Sequence, residues 1–178
     1  VERVTETGVV AAGTERPADA IVLATGFASH GFVTPLEITG PRGTLAEAWG
    51  DVPRAYLGLT VPGFPNLFLL YGPNTNGGTG SVIYTIEAGV NHAIAALREL
   101  DRAEARRIEV RAEAAERFDR ELRAALAGTV WHSGCTNWYV DENGNDPSQW
   151  PWTWSNYRRR TASLDPGAYE LYGARAPS

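Results

Sequence analysis

The sequence contains no methionine, a single cysteine at position 135, and no apolar run of membrane-spanning length. Each absence excludes something. One cysteine cannot close an internal disulfide, and such scarcity fits a reducing, cytoplasmic setting. A membrane helix needs roughly eighteen or more consecutive apolar residues, so no helical span is expected. A chain without methionine has no initiator of its own, and Val1 opens among strand-forming residues without a charged leader. We therefore expect a piece of a longer polypeptide. Basic residues are in the minority, 16 against 21 acidic, for a net charge of -5. That balance argues against nucleic acid or an anionic membrane as partner.

Several reaction classes also lack their signatures. His30, His92 and His132 stand far apart, and none has metal-ligand spacing with Cys135 or a carboxylate pair, so no metal site is expected. His132 and Cys135 lie three residues apart on an irregular stretch, which supports local packing better than a nucleophile–base pair. No Gly-x-Ser-x-Gly elbow is present, so serine hydrolysis has little support. Arg158-Arg159-Arg160 reads as a solvated face, or as a partner for carboxylates elsewhere.

What is present is organised around Pro62–Glu87, PGFPNLFLLYGPNTNGGTGSVIYTIE. Leu67–Tyr71 is a short apolar run between Pro65-Asn66 and Gly72-Pro73, and it reads as a strand buried on both faces. From Ser81 the apolar residues Val82, Ile83, Ile86, Val90, Ile94 and Leu97 recur at helical spacing to about Leu100. Between them lies Gly72-Pro73-Asn74-Thr75-Asn76-Gly77-Gly78-Thr79-Gly80, with four glycines in nine residues and no charge. Such a loop admits ligand atoms close to the backbone, and the helix beyond it offers N–H groups and a positive dipole end. An anionic or electron-rich ligand would suit it. An ordinary strand-to-helix connection has the same composition, and neither GxGxxG nor a P-loop ending is present.

Elsewhere, Val1–Val10 and Ala20–Leu23 flank a turn around Gly13, a hairpin or meander pattern. The apolar run Ala20–Ala24 reads as a second strand buried on both faces. Thr44 with Glu47 three residues on predicts a capping box and a helical turn or two. Tyr56–Val61 alternates like a strand, Arg107–Arg111 like an exposed one. Ala112–Ala127 is an amphipathic helix with Ala115, Phe118, Leu122 and Leu126 on one face and Gly128 at its end. Trp131–Tyr157 holds five of the six tryptophans among turn-forming residues. Its rings read mainly as a lid lying on the main domain, with aromatic walls for a ligand as the other reading.

Taken together, three segments resemble one family. Ala20–Phe27, AIVLATGF, is similar to the strand and ATG turn that closes the nicotinamide-binding region of class B flavin monooxygenases. Leu57–Pro73, LGLTVPGFPNLFLLYGP, resembles the return of the chain into their FAD domain. Trp131–Tyr139, WHSGCTNWY, with Asn143-Gly144 and Trp150-Pro151, resembles their carboxy-terminal block. The nearest subgroup is the Baeyer–Villiger type, especially the branch similar to 4-hydroxyacetophenone monooxygenase.

The resemblance implies an α/β fold, part of a doubly wound FAD/NAD(P)-binding, Rossmann-like domain with an aromatic-rich irregular tail. Residues 1–27 would end the NADP-binding region, 28–128 would belong to the FAD-binding domain, and 129–178 would form the tail. It implies the carboxy-terminal third of an FAD- and NADPH-dependent monooxygenase that inserts one oxygen of O2 into a ketone through a flavin C4a-peroxide. N- or S-oxygenation is the alternative within the family. A non-catalytic module whose tryptophans stack on a ligand is the alternative outside it. Cofactor-binding residues implied are Thr25, Gly26, Gly72, Pro73, Asn74, Thr75, Asn76, Gly77, Gly78 and Trp138, with FAD and NADP as cofactors. Thr25 and Gly26 would sit at the domain crossing, and Trp138 would approach NADP. The family's two GxGxxG fingerprints and its peroxide-stabilising arginine have no counterpart in this chain, so alone it is expected to be inactive. Apolar faces left bare should drive its self-association.

Overall fold

Ser81 closes the glycine-rich loop and opens the longest helix. The computed structural model describes residues 1–24, 31–33, 35–78, 80–134, 137–141 and 143–174. Ser81 is extended, and its hydroxyl accepts from the Ile83 N–H at 3.3 Å, an N-cap that starts α2, Val82–Arg102. The capping box forms as predicted. Thr44 accepts from the Glu47 N–H, and the Glu47 carboxylate accepts from the Thr44 N–H, starting α1, Leu45–Trp49. The Thr44 bonds hold the exposed Glu47 carboxyl below the ordinary carboxylate range.

Among the described residues, three short antiparallel sheets accompany the helices. β1 (Arg3–Val4), β2 (Gly8–Ala11) and β3 (Thr14–Pro17) form the first, with the Ala12-Gly13 turn at positive φ. The hairpin predicted around Gly13 is therefore present, but its return arm is Thr14–Pro17 rather than Ala20–Leu23. β4 (Thr39–Gly40) and β5 (Gly43–Thr44) form the second. β6 (Ala105–Val110) and β7 (Tyr169–Ala174) form the third, joining Val110 to Tyr169 and Ala105 to Ala174, distant parts of the chain. α3, Ala112–Leu126, and α4, Trp154–Thr161, are the other α-helices among the described residues. The predicted helix over 112–127 and strand over 107–111 are both realised within a residue or two.

Four expectations are corrected. Ala20–Ala24 forms no strand, and Val22 is 87% exposed. Leu67–Tyr71 is irregular: the Leu69 N–H donates to the Leu59 carbonyl at 2.8 Å, and Leu69 packs with Leu45, Val61 and Phe64. A doubly buried strand needs partners on both sides, and no described strand pairs with either run. Tyr56–Val61 is a tight turn, with Leu57 and Gly58 both at positive φ and Tyr56 bridged to Thr60. The segment after 129 is less irregular than expected, because it supplies α4 and β7.

α2 also turns its faces unexpectedly. The buried residues are Thr85, Ala88, Gly89, His92 and Ala96, whereas Val82, Ile83, Val90, Ile94 and Leu97 are exposed. Small residues face inward because neighbours come close. A β-carbon at Gly89 would stand 3.0 Å from Leu59 Cδ2. The main core joins Leu57, Leu59, Ala88, Phe118, Leu122, Leu126, Trp150 and Tyr157, so α2, α3 and α4 share it with the 57–59 turn. A second cluster, including Ile108, Val110 and Tyr169, lies under the third sheet. Asn66, at φ 63°, finishes the open edge of β6: its side chain accepts from the Ile108 N–H and donates to the Arg106 carbonyl, both near 3 Å.

His92 ties these layers together. It is 1% exposed, with Nδ1 3.0 Å from the Thr161 carbonyl and Nε2 2.9 Å from the Tyr169 hydroxyl. A carbonyl only accepts, so Nδ1 carries the proton and Nε2 accepts from Tyr169; Thr60 Oγ1 then donates to the Tyr169 oxygen at 3.0 Å. Burial lowers the His92 pKa from its ordinary 6.5, with the Thr161 bond opposing in part. The unfolded chain therefore binds a proton below pH 6.5 that the native chain refuses, and stability falls as pH drops below that value. The loss levels off below the native pKa. We expect the melting temperature of the wild type to fall more steeply on acidification than that of His92→Gln. Parallel curves from a pH series of thermal unfolding would refute this.

Candidate functional site

The glycine-rich loop is strapped to a segment some seventy residues further on. The Asn74 N–H donates to the Pro147 carbonyl at 2.7 Å, the Asn76 N–H to Ser148 at 3.0 Å, and the Trp150 N–H to Asn76. Asn76 and Gln149 thus pair as a parallel bridge. The Asn74 amide adds bonds to the Asp146 and Gln149 carbonyls at 2.7 and 3.1 Å. Asn74 itself sits at φ 55°, a left-handed position that asparagine tolerates. The strap is shaped beforehand by Asp146, whose Oδ1 accepts from the Ser148 and Gln149 N–H groups at 2.9 Å.

The near end of the loop is packed against the chain itself. Gly72, Pro73, Asn74 and Thr75 are buried. A β-carbon at Gly72 would meet the Gly58 carbonyl oxygen at 2.4 Å, so backbone runs directly on backbone there. Thr75 donates to the Gly72 carbonyl at 2.7 Å, and the Tyr71 hydroxyl donates to Asn76 Oδ1 at 3.0 Å. Burial raises the Tyr71 pKa and keeps it a donor. Exposure grows from Asn76 and Gly77, half-buried, to Gly78, Gly80 and the first turn of α2, which are open to solvent.

Two indole rings close one side of the far end. A β-carbon at Gly77 would lie 2.3 Å from Trp154 Cζ2, and one at Gly80 2.3 Å from Trp154 Nε1. At Gly78 it would lie 2.9 Å from Trp131 Cζ2. These glycines are needed by the protein's own tryptophans. The lid expected of the aromatic segment is present in Trp150, 2% exposed, and in half-buried Trp152 and Trp154 around it. Trp138 is 64% exposed and lies tilted against Tyr139, ring centroids 4.6 Å apart, and Tyr139 in turn meets Trp131 edge-on. Thr25 and Gly26 lie outside the described residues.

Two features of this site escape a reading of the sequence. Trp131 and Trp154 contact the loop, and Gln149 and Thr85 carry buried polar atoms with no hydrogen-bond partner among the described residues. The available signal for the first is the coincidence of bulky rings with a loop that lacks side chains, since glycine is what a ring can lie on. Gln149 is completely buried beside the loop, and Thr85 sits one turn into α2. An unpaired buried polar atom costs about 1–3 kcal/mol.

The residues present fit an anionic or electron-rich, hydrogen-bonding edge of a cofactor. The loop has an outer side free of side chains at Gly78 and Gly80, and the open end of a 21-residue helix follows it. Among the described residues no cluster of His, Cys, Asp or Glu could hold a metal, and no helix is long and apolar enough to cross a membrane.

No family model matches the chain. Individual proteins do. A Baeyer-Villiger monooxygenase of Pseudomonas aeruginosa is 38% identical over an alignment of 176 positions that covers 96% of this chain and 33% of that protein. An FAD-binding monooxygenase of Aspergillus niger is 34% identical over an alignment of 180 positions that covers 98% of this chain and 30% of its own length. Among solved structures, cyclohexanone monooxygenase from Rhodococcus sp. Phi1 bound to NADP+ superposes with a TM-score of 0.76 at 29% identity, over 96% of this chain and 34% of that one. The chain thus spans about a third of the length of the relatives it matches. Sequence likeness and backbone likeness extend over almost all of it, so the chain belongs to the flavin-dependent monooxygenase family that includes the Baeyer–Villiger enzymes.

Proposed function

We propose that this chain is part of an FAD- and NADPH-dependent monooxygenase that inserts one oxygen atom of O2 into a ketone. The observation that carries the reading is the loop Gly72–Gly80, strapped to 146–150 and opening onto the start of α2, in a chain of this family. FAD would supply the redox chemistry, taking hydride from NADPH and activating O2. The chain's own residues would hold and shield it. Asn76, Gly77 and Gly78 would offer backbone at close range, and the α2 N-terminus would favour negative charge on the cofactor edge facing it. Gly72–Thr75, buried against Gly58 and the 146–149 strap, would fix the position of that surface rather than touch the cofactor. Thr25, Gly26 and Trp138 would serve the nicotinamide side. The 64% exposure of Trp138 supports that reading.

The relatives support ketone oxygenation over N- or S-oxygenation through their names alone, and a substrate panel decides it. The protein from the complete reading frame should show a flavin absorbance spectrum and oxidise NADPH faster with cyclic or aryl ketones than with amines or sulfides. A colourless protein with no NADPH use would sink the reading and favour an aromatic binding module. The 178-residue chain alone should turn over no NADPH and should self-associate through the apolar stripe Val82, Ile83, Val90, Ile94 and Leu97. A sharp monomer in sedimentation at high concentration would overturn the second expectation.

A further inference from the structure

We propose that Trp154, assisted by Trp131, is a positioning residue for the glycine-rich loop, so that affinity for the flavin is set from the carboxy-terminal aromatic segment. The inference rests on the reading of that loop as flavin-facing.

The loop has little means of holding its own shape. Its internal side-chain bonds, Thr75 to Gly72 and Tyr71 to Asn76, lie in its first half, and so does the strap to 146–150. From Gly77 onward the backbone is glycine-rich, and glycine loses more conformational freedom on ordering than any other residue. There the contacts that define its course are indole rings. Trp154 spans Gly77 and Gly80, and Trp131 lies on Gly78. The two rings on Gly77, Gly78 and Gly80 remove the conformers that would swing the loop toward them, and a pre-ordered loop binds its ligand more tightly than a free one.

Trp154 is itself held from three directions. It is the first residue of α4, whose N-cap Thr153 accepts from the Asn156 N–H at 3.2 Å. Its ring meets Tyr157 at right angles, and Tyr157 is fully buried with its hydroxyl on the Leu57 carbonyl at 3.2 Å. At the other end α4 is tied to α2 by His92 on the Thr161 carbonyl and to α3 by the two-pronged Arg160–Glu121 pair. Glu121 is held below its ordinary pKa by the Arg160 bond. Trp154 therefore transmits the position of the three-helix core to the loop. Trp152, two residues earlier, packs on Trp150 and under Arg160 instead.

A double-mutant cycle separates positioning from packing. In the protein from the complete reading frame, FAD dissociation constants would be measured by fluorescence titration, with thermal unfolding in parallel, for W154A, W154F, G77A, G77A/W154A and W152A. We expect W154A and G77A each to weaken FAD binding about tenfold or more, a loss W154F reduces and W152A does not reproduce even where it lowers the melting temperature as much. In the W154A background the G77A change should add less than about threefold, because the ring that the new methyl strikes is gone. Wild-type-like FAD affinity in W154A, or an equal effect of G77A in both backgrounds, overturns this proposal alone. A wild type that takes up no FAD overturns the flavin reading and this inference with it, and rescue in thermal unfolding would then leave only a packing contact.

Discussion

Trp150→Ala is expected to destabilise the protein by about 3–5 kcal/mol, the range for emptying a buried aromatic site. The ring is 2% exposed, stacks on Phe118 of α3, and meets Trp152 and Tyr157 edge-on at 4.8 and 4.9 Å. No neighbour can collapse into the space without leaving another contact, since Phe118, Leu122 and Leu126 are already fixed by one helix and Tyr157 by another. Its backbone N–H also ends the strap on Asn76, so a shift here reaches the loop. Against a total domain stability of about 5–15 kcal/mol, the loss leaves a marginal fold. Urea unfolding followed by circular dichroism measures it. A change below about 1 kcal/mol would show that the cluster repacks freely, contrary to its geometry.

The second large effect is expected at Gly58. Its φ is +69°, where a side chain costs about 1–2 kcal/mol, and its β-carbon would stand 2.0 Å from Thr75 Cγ2 and 2.6 Å from the Pro73 carbonyl oxygen. The threonine methyl can yield, but the backbone oxygen cannot without moving the start of the loop. Forced displacement in a packed region adds about 1–3 kcal/mol. Gly58→Ala should therefore lower the urea midpoint sharply, and adding Thr75→Ser should restore only part of the loss. Full recovery in the double variant would mean that the methyl contact alone mattered and that the backbone approach of Gly58 to Pro73 did not.

Much of the secondary structure was readable before any coordinates because its causes are local. The Thr44–Glu47 capping box, the Ala12-Gly13 turn and helices α2 and α3 each follow from residues within a few positions of one another. Short apolar runs were less informative. Leu67–Tyr71 and Ala20–Ala24 have the composition of buried strands, but a strand exists only where another offers N–H and C=O groups, and a run cannot state that about itself. Tyr56–Val61 alternates like a strand yet bends sharply, because Leu57 accepts a left-handed backbone that packing around Leu59 imposes.

The candidate site divides in the same way. Its glycine loop, the helix that follows from Ser81 and the family resemblance were determined by the sequence alone, through spacing and residue type. The strap from 146–150, the rings of Trp131 and Trp154 on Gly77–Gly80, and the choice of α2's small-residue face for the core were decided only by the tertiary structure. The reason is physical. Caps and helical periods are energies among neighbours in the chain, whereas a ring lying on a glycine seventy-odd residues away depends on the complementarity of two surfaces that only the folded core brings together.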